Sequence, residues 1–314
     1  MTMTLDALRG SVTVPAIAAP MFLVSGTELV IAACKAGVIG CYPVANARSA
    51  EEARSEIGGI HRILALEQAS NLSSGHAPYA VNLVIHNERK PRFDQDIETV
   101  VDYRVPLVIT SVGDPKSIVG KVHAYGGLVF HDVATLRHAR KAIDAGVDGL
   151  ILLTAGAGGH TGSMNPFAFV EQVRSVWEGA IALAGGISTG QSIRAAEVMG
   201  ADFAYMGTRF IATKESAAPP SYKELLISQQ AADVIVTDRI SGLNATFMRG
   251  SITAAGLDPD ALPERLGLFQ PGLPEHIKPW RDIWSAGHGV GSIDDLPSVK
   301  ELVQRLRREY EQAR

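Results

Sequence analysis

Gly149-Leu150-Ile151-Leu152-Leu153, followed by Thr154-Ala155-Gly156-Ala157-Gly158-Gly159-His160-Thr161-Gly162, is the stretch on which the reading of this chain turns. Its first five residues are apolar without alternation, the pattern of a strand covered on both faces. The nine that follow contain four glycines and reach a single histidine. An ordinary turn needs one or two glycines. Four leave the backbone bare enough for a flat or anionic group to approach its amides closely.

Short apolar runs of the same kind recur on both sides. Strands are expected at 14–19, 38–42, 79–85, 106–110, 128–131, 149–153, 181–184 and 203–206, with helices between them at 27–36, 49–69, 96–103, 116–124, 134–145, 167–177 and 189–199. The second helix is expected to break at Gly58-Gly59, and a polar, proline-containing loop is expected over His86–Asp94. Ala36-Gly-Val-Ile-Gly40, Ala145-Gly-Val-Asp-Gly149 and Met199-Gly-Ala-Asp-Phe203 repeat one junction, a helix stopped by glycine and a strand begun at once. Eight such βα units are the count of an α/β (β/α)₈ TIM barrel. The alternative, a doubly wound open sheet, carries its glycine-rich loop after the first strand. Here that strand ends in Pro20-Met21.

The rhythm breaks after Phe210. Prolines at 219, 220, 263, 271, 274 and 279 interrupt a segment in which helices are expected at 222–232 and 259–266. The domain reading is therefore a barrel over 1–213, an insertion or lid over 214–290, and a helix within 291–314 packed on the barrel through Leu302, Val303 and Leu306.

Bulk properties narrow the classes. Of 314 residues, 46% are hydrophobic and the formal net charge is -4, with no long run of one sign. That gives no footprint for nucleic acid or an anionic membrane surface. No apolar stretch is long enough to span a bilayer, and the N-terminus lacks a secretory core. Two cysteines, Cys34 and Cys41, read as buried reduced thiols of a cytoplasmic protein. No cluster of His, Cys, Asp and Glu has metal-ligand spacing, so no metal site is expected.

In a barrel of this type the site lies at the C-terminal ends of the strands. Strand seven ends in Ala184-Gly185-Gly186-Ile187-Ser188 and strand eight in Met206-Gly207-Thr208-Arg209-Phe210. Glycines at these two places free backbone amides at the starts of the next helices, which is how a barrel holds a phosphate. The opening stretch follows strand six, beside them. Asn82, alone among apolar neighbours on strand three, bonds either a heteroaromatic edge or a neighbouring loop. His160 can act as a general base or as an orienting donor, or simply close the loop. His131 ends strand five, where it is expected to face the site, and Asp132 follows it directly. Asp148 reads as a junction residue, and His123, His138 and His276 as solvated.

Ala157-Gly-Gly-His-Thr-Gly162, Ala184-Gly-Gly-Ile187 and Met206-Gly-Thr208, with Asn82 upstream and Trp284-Ser-Ala-Gly-His-Gly-Val-Gly291 downstream, resemble the FMN-dependent nitronate monooxygenases over nearly the whole chain. The same motifs occur in flavin-dependent enoyl reductases and NAD(P)H:quinone reductases. The resemblance implies FMN in the barrel, with Asn82 at the isoalloxazine edge, Gly158 beside the ring and Gly185, Gly186, Gly207 and Thr208 at the phosphate. It extends the flavin contacts to Ala19, Met21, Asp132, Ala157, Gly159, Tyr205 and Met206, and implies His160 as the catalytic histidine. A small-molecule substrate with O₂, or with NAD(P)H, is the implied partner set, and a homodimer is left open. The chain differs from the family pattern at Asp132, where many members carry lysine, and at Leu153, Gly156, Tyr205 and His288.

Overall fold

The computed structural model describes residues 2–69, 76–85 and 91–313. Among them the strands are β1 (Ala16–Ala18), β2 (Ile39–Pro43), β3 (Ala80–Val84), β4 (Leu107–Ser111), β5 (Leu128–Val133), β6 (Gly149–Leu153), β7 (Gly159–His160), β8 (Ala180–Ala184), β9 (Phe203–Met206), β10 (Val234–Thr237) and β11 (Ala245–Met248). Eight close a parallel barrel in the order β1-β2-β3-β4-β5-β6-β8-β9, with β9 pairing back to β1. This is the expected TIM barrel.

Alternation along each strand divides the apolar residues between two cores. Ile17, Ile39, Ile109, Phe130, Ile151 and Phe203 fill the barrel interior. Val81, Val108, Val129, Leu150 and Ile181 turn outward against the helices. The continuous apolar strands follow from this double burial. At the three repeated junctions, Gly37, Gly146 and Gly200 adopt φ of 91°, 86° and 105°. Each turns a helix end into a strand with a left-handed residue that only glycine takes without strain.

Local expectations fail where packing overrides propensity. The helix Ala50–Ala69 runs unbroken through Gly58-Gly59. A Cβ on Gly58 would lie 2.5 Å from the Tyr103 hydroxyl, so this glycine admits a neighbouring ring rather than ending the helix. Of the expected loop over 86–94, residues 86–90 lie outside the described residues, and a helix Pro91–Asp102 already includes the remainder. Pro91 stands at that helix's first position, which needs no amide donor.

The segment after residue 213 is more ordered than its prolines suggest. Its helix spans Pro220–Ser228, and the helix expected at 259–266 does not form. A second helix covers Arg249–Ala254. Instead of helices alone, the segment contributes β10 and β11, and β11 pairs antiparallel with β7, setting Ala245 opposite His160 and Thr246 opposite Gly159. The glycine–histidine loop is thus an edge of a three-stranded sheet. The final helix, Val299–Gln312, is capped by Ser298 and buries Leu302, Val303 and Leu306 against the barrel's outer helices.

Candidate functional site

A cavity of ≈ 1330 Å³ opens at the C-terminal mouth of the barrel. Ala19, Met21, Asn82, Asp132, Ala157, Gly158, Gly159, His160, Gly185, Gly186, Tyr205, Gly207 and Thr208 all line it. The structure therefore brings together every expected site residue except Met206. Tyr205 faces the barrel interior, so its neighbour Met206 must face outward, where it is buried in the cluster beneath the last helix. The same alternation separates His131 from Asp132. The His131 imidazole turns to the outer side and lies 2.8 Å from Thr110 Oγ1, and burial lowers its pKa to about 4. It borders an outward arm of the cavity, along Asp114, Lys116, His138 and Lys141, rather than the floor.

One rim is built for an anion. The amides of Gly185, Gly186 and Gly207 donate to no acceptor among the described residues. Gly185 has φ +135°, and a Cβ there would stand 2.3 Å from Thr154 Oγ1. A side chain is excluded at the point where the backbone must stay open. The helix start expected to help is already occupied. Thr189 and Ser192 form a capping box on the helix Gly190–Val198, and the Gly190 amide donates to Glu309 Oε2 at 2.7 Å. The open amides of Gly185 and Gly186 lie just before it, and that of Gly207 before the short helix Thr208–Ile211.

The floor is polar in one line. Asn82 Nδ2 donates to the Ile109 carbonyl at 3.1 Å and to Ser111 Oγ at 2.8 Å, and Ser111 Oγ donates to Asp132 Oδ2 at 2.7 Å. Asp132 as a whole keeps some exposed surface, but its Oδ1 is enclosed and has no hydrogen-bond partner among the described residues. Burial raises its pKa to about 7, against the opposing effect of the Ser111 bond. Ser111 carried no signal in the sequence. Only the register of β3, β4 and β5, with Val84 opposite Ser111 and Thr110 opposite His131, places it between the two expected residues.

The wall is the glycine–histidine loop, held from afar. Gly159 N donates to Ser285 Oγ at 2.8 Å, Thr246 Oγ1 donates to the Ala157 carbonyl at 3.0 Å, and Gly287 N donates to Thr208 Oγ1 at 2.9 Å. His160 and Trp280 pack edge to face, ring centroids 5.5 Å apart at 90°. Trp280 and Phe269 both line the cavity with positive φ, 68° and 58°. Bulky residues in that region are outliers held by their surroundings. Neither showed in the sequence, because backbone strain leaves no local pattern.

Two departures from the resembled pattern form one arrangement. Gly156 has φ +87°, and a Cβ on it would lie 2.8 Å from the His288 ring. The His288 amide in turn donates to the Gly156 carbonyl at 2.9 Å. A side chain at 156 and the imidazole at 288 exclude each other, so glycine at one accompanies histidine at the other. Among the described residues no group of His, Cys, Asp and Glu could hold a metal ion, and no helix is long and apolar enough to cross a membrane.

Comparison with known proteins agrees with this geometry. A nitronate monooxygenase from Paraburkholderia phytofirmans is 28% identical over 95% of this chain and 93% of its own. A (3aS,4S,5R,7aS)-5-hydroxy-7a-methyl-1-oxo-octahydro-1H-indene-4-carboxyl-CoA dehydrogenase from Mycobacterium tuberculosis is 25% identical over 93% and 91%. In fold, the chain superposes on FabK from Thermotoga maritima with a TM-score of 0.77 at 23% identity, covering 99% of this chain and 97% of that one. The nitronate monooxygenase family profile matches residues 7–309, which span the barrel, the glycine rim and the histidine wall alike, and the chain belongs to that family of oxidoreductases.

Proposed function

We propose that this protein binds FMN in the barrel mouth and oxidises alkyl nitronates with O₂. The observation that carries this reading is the juxtaposition of the glycine amides at 185, 186 and 207, which donate to no acceptor among the described residues, with His160 on one cavity large enough for cofactor and substrate together. The phosphate would rest on those amides, and the ring would lie over the Asn82 floor beside Gly158. The flavin would supply the electron transfer and oxygen chemistry.

The chain's own residues do the rest. His160, its ring set against Trp280, takes the proton from the carbon bearing the nitro group, or holds the anion already formed. Ser285 and Thr246 fix the loop that carries it. The segment 214–290 acts as a lid, excluding water through Phe269, Trp280 and Leu243. Anaerobic titration of the flavin-loaded protein with a nitronate, NADH and NADPH separately tests this. Bleaching by the nitronate alone is the expected result.

The outward arm favours a second reading, reduction or dehydrogenation of an activated alkene, quinone or acyl-CoA. Lys116 and Lys141 on that arm would suit the anionic tail of a long substrate. Bleaching by a reduced nicotinamide or an acyl thioester, with none by the nitronate, would select it.

A further inference from the structure

The three tryptophans of the chain use their indole N–H groups differently. Trp177 Nε1 donates to the Ala180 carbonyl at 3.1 Å, and Trp284 Nε1 donates to the Arg281 carbonyl at 2.9 Å. Trp280 Nε1 has no acceptor among the described residues and is not one of their enclosed atoms, so it stays accessible. Yet the Trp280 ring is half-buried and lines the cavity beside His160. An indole in such a place ordinarily finds an acceptor for its N–H. Sheet parity explains why the ring lies there. Ala245 pairs with His160 across β11 and β7, so His160, Ala245 and Phe247 share one face. Ala245 is small and fully buried, and Trp280 packs on the rings to either side of it, its centroid 4.9 Å from Phe247 and 5.5 Å from His160. The Trp280 backbone is fixed as well, with φ 68° and its amide donating to the Ile283 carbonyl at 3.1 Å.

We propose that the Trp280 indole N–H donates a hydrogen bond to an oxygen of the substrate's nitro group while His160 works on the adjoining carbon. The inference rests on the nitronate reading. When His160 accepts the proton, the C–H electron pair becomes the C=N bond of the nitronate and the N=O π pair passes to oxygen. No other bond changes, and the new negative charge settles on the oxygens. A donor already fixed at that place strengthens as the charge develops and needs no rearrangement. Ser241 and Tyr222 also line the cavity, but they spend their hydroxyl protons on the carbonyls of Leu243 and Ser285. Phe22, Leu243 and Phe269 on the same lining offer no side-chain donor. Trp280 thus joins His160 as a group that touches the reacting atoms, and the two lie side by side because the register of β7 on β11 puts them there.

The test must separate this contact from mere packing on His160. Steady-state kinetics of the flavin-loaded wild type, Trp280→Phe and Trp280→Ala are compared for neutral nitroethane and for its preformed nitronate. Trp280→Phe keeps a ring beside His160 and removes the N–H. With nitroethane, whose charge develops during the step, it should lower kcat by about 10- to 100-fold, the worth of a hydrogen bond to a charged group. With the nitronate, charged before it binds, the loss should appear as a KM raised by about the same factor. Trp280→Ala should deepen the nitroethane loss, because it also frees the His160 ring. A nitroethane loss with the nitronate KM unchanged would make Trp280 only a support for His160 and overturn the inference. A second readout needs neither turnover nor substitution. In wild type labelled with ¹⁵N at its tryptophans, the fastest-exchanging indole signal should move downfield on adding propionate, a planar anion of the nitronate's size, at concentrations that inhibit nitronate turnover. The signals of Trp177 and Trp284, already bonded to carbonyls, should stay. Three unmoved signals would overturn the inference and leave the nitronate reading intact. A wild type whose flavin no nitronate reduces would overturn both.

Discussion

On the cavity floor, Asn82, Ser111 and Asp132 are joined across adjacent strands by hydrogen bonds spanning 29 and 21 residues. On the wall, the loop that carries His160 is tied by bonds spanning 126 and 89 residues, to Ser285 and Thr246. The floor comes into being with the barrel, because parallel register alone lines up its three side chains. The wall exists only after the C-terminal segment docks and lends it β11. Substitutions in the floor should therefore alter charge and recognition without loosening the loop. Substitutions in the wall should loosen the loop or its chemistry while leaving the barrel intact.

The largest expected effect lies on the wall. His160→Asn should lower turnover of a neutral nitroalkane by about 10²- to 10⁴-fold, the usual worth of a general base. The loss should be much smaller with preformed nitronate, which needs no proton removed; steady-state kinetics with the two substrates read the ratio. Equal losses would mean that His160 positions the anion rather than taking a proton.

Gly185→Ala joins wall and rim. Its φ of +135° and a Cβ only 2.3 Å from Thr154 Oγ1 should cost about 1–3 kcal/mol of strain and displace the open amides. Thermal unfolding together with FMN retention on gel filtration would show both. Retention at the wild-type level would remove this glycine from the cradle.

Asp132→Asn probes the floor through stability. The folded pKa, about 7, lies above the unfolded value near 3.8. Between those values the native state holds a proton that the unfolded chain has lost, so stability falls as pH rises through the window and is level above it. The variant should lack that fall and gain on the order of 2 kcal/mol above pH 7, a figure discounted for the opening to the cavity. Urea unfolding of flavin-free protein on either side of the window measures it. An unchanged pH slope would mean that Asp132 is ionised at little cost.

The smallest effect sharpens the contrast most. Ser285→Ala removes the acceptor of the Gly159 amide and should cost about 1 kcal/mol locally. Hydrogen exchange should quicken about fivefold over Ala157–His160 while the barrel strands stay protected. Equal acceleration throughout the barrel would show that wall and floor open as one unit.

Much of this was legible in the residues. Non-alternating apolar runs announced doubly covered strands, and Gly37, Gly146 and Gly200 marked where each helix turns into one, because only glycine tolerates the left-handed turn. Asn82, His160 and the rim glycines stood out because their residue types fit poorly into a plain core or turn. Facing was also encoded but takes a parity count along the strand. Once Tyr205 is inside, Met206 is outside, and once Asp132 is inside, so is His131 outside. What the residues could not show is whatever depends on two distant segments meeting. The β7–β11 pairing, the Ser111 bridge, the strained Trp280 beside His160 and the exclusion between Gly156 and His288 have no local period. Periodicity reports which side of an element is buried. Which buried groups then touch is decided by strand register and by the docking of the C-terminal segment, whose contacts form only when the whole chain has closed.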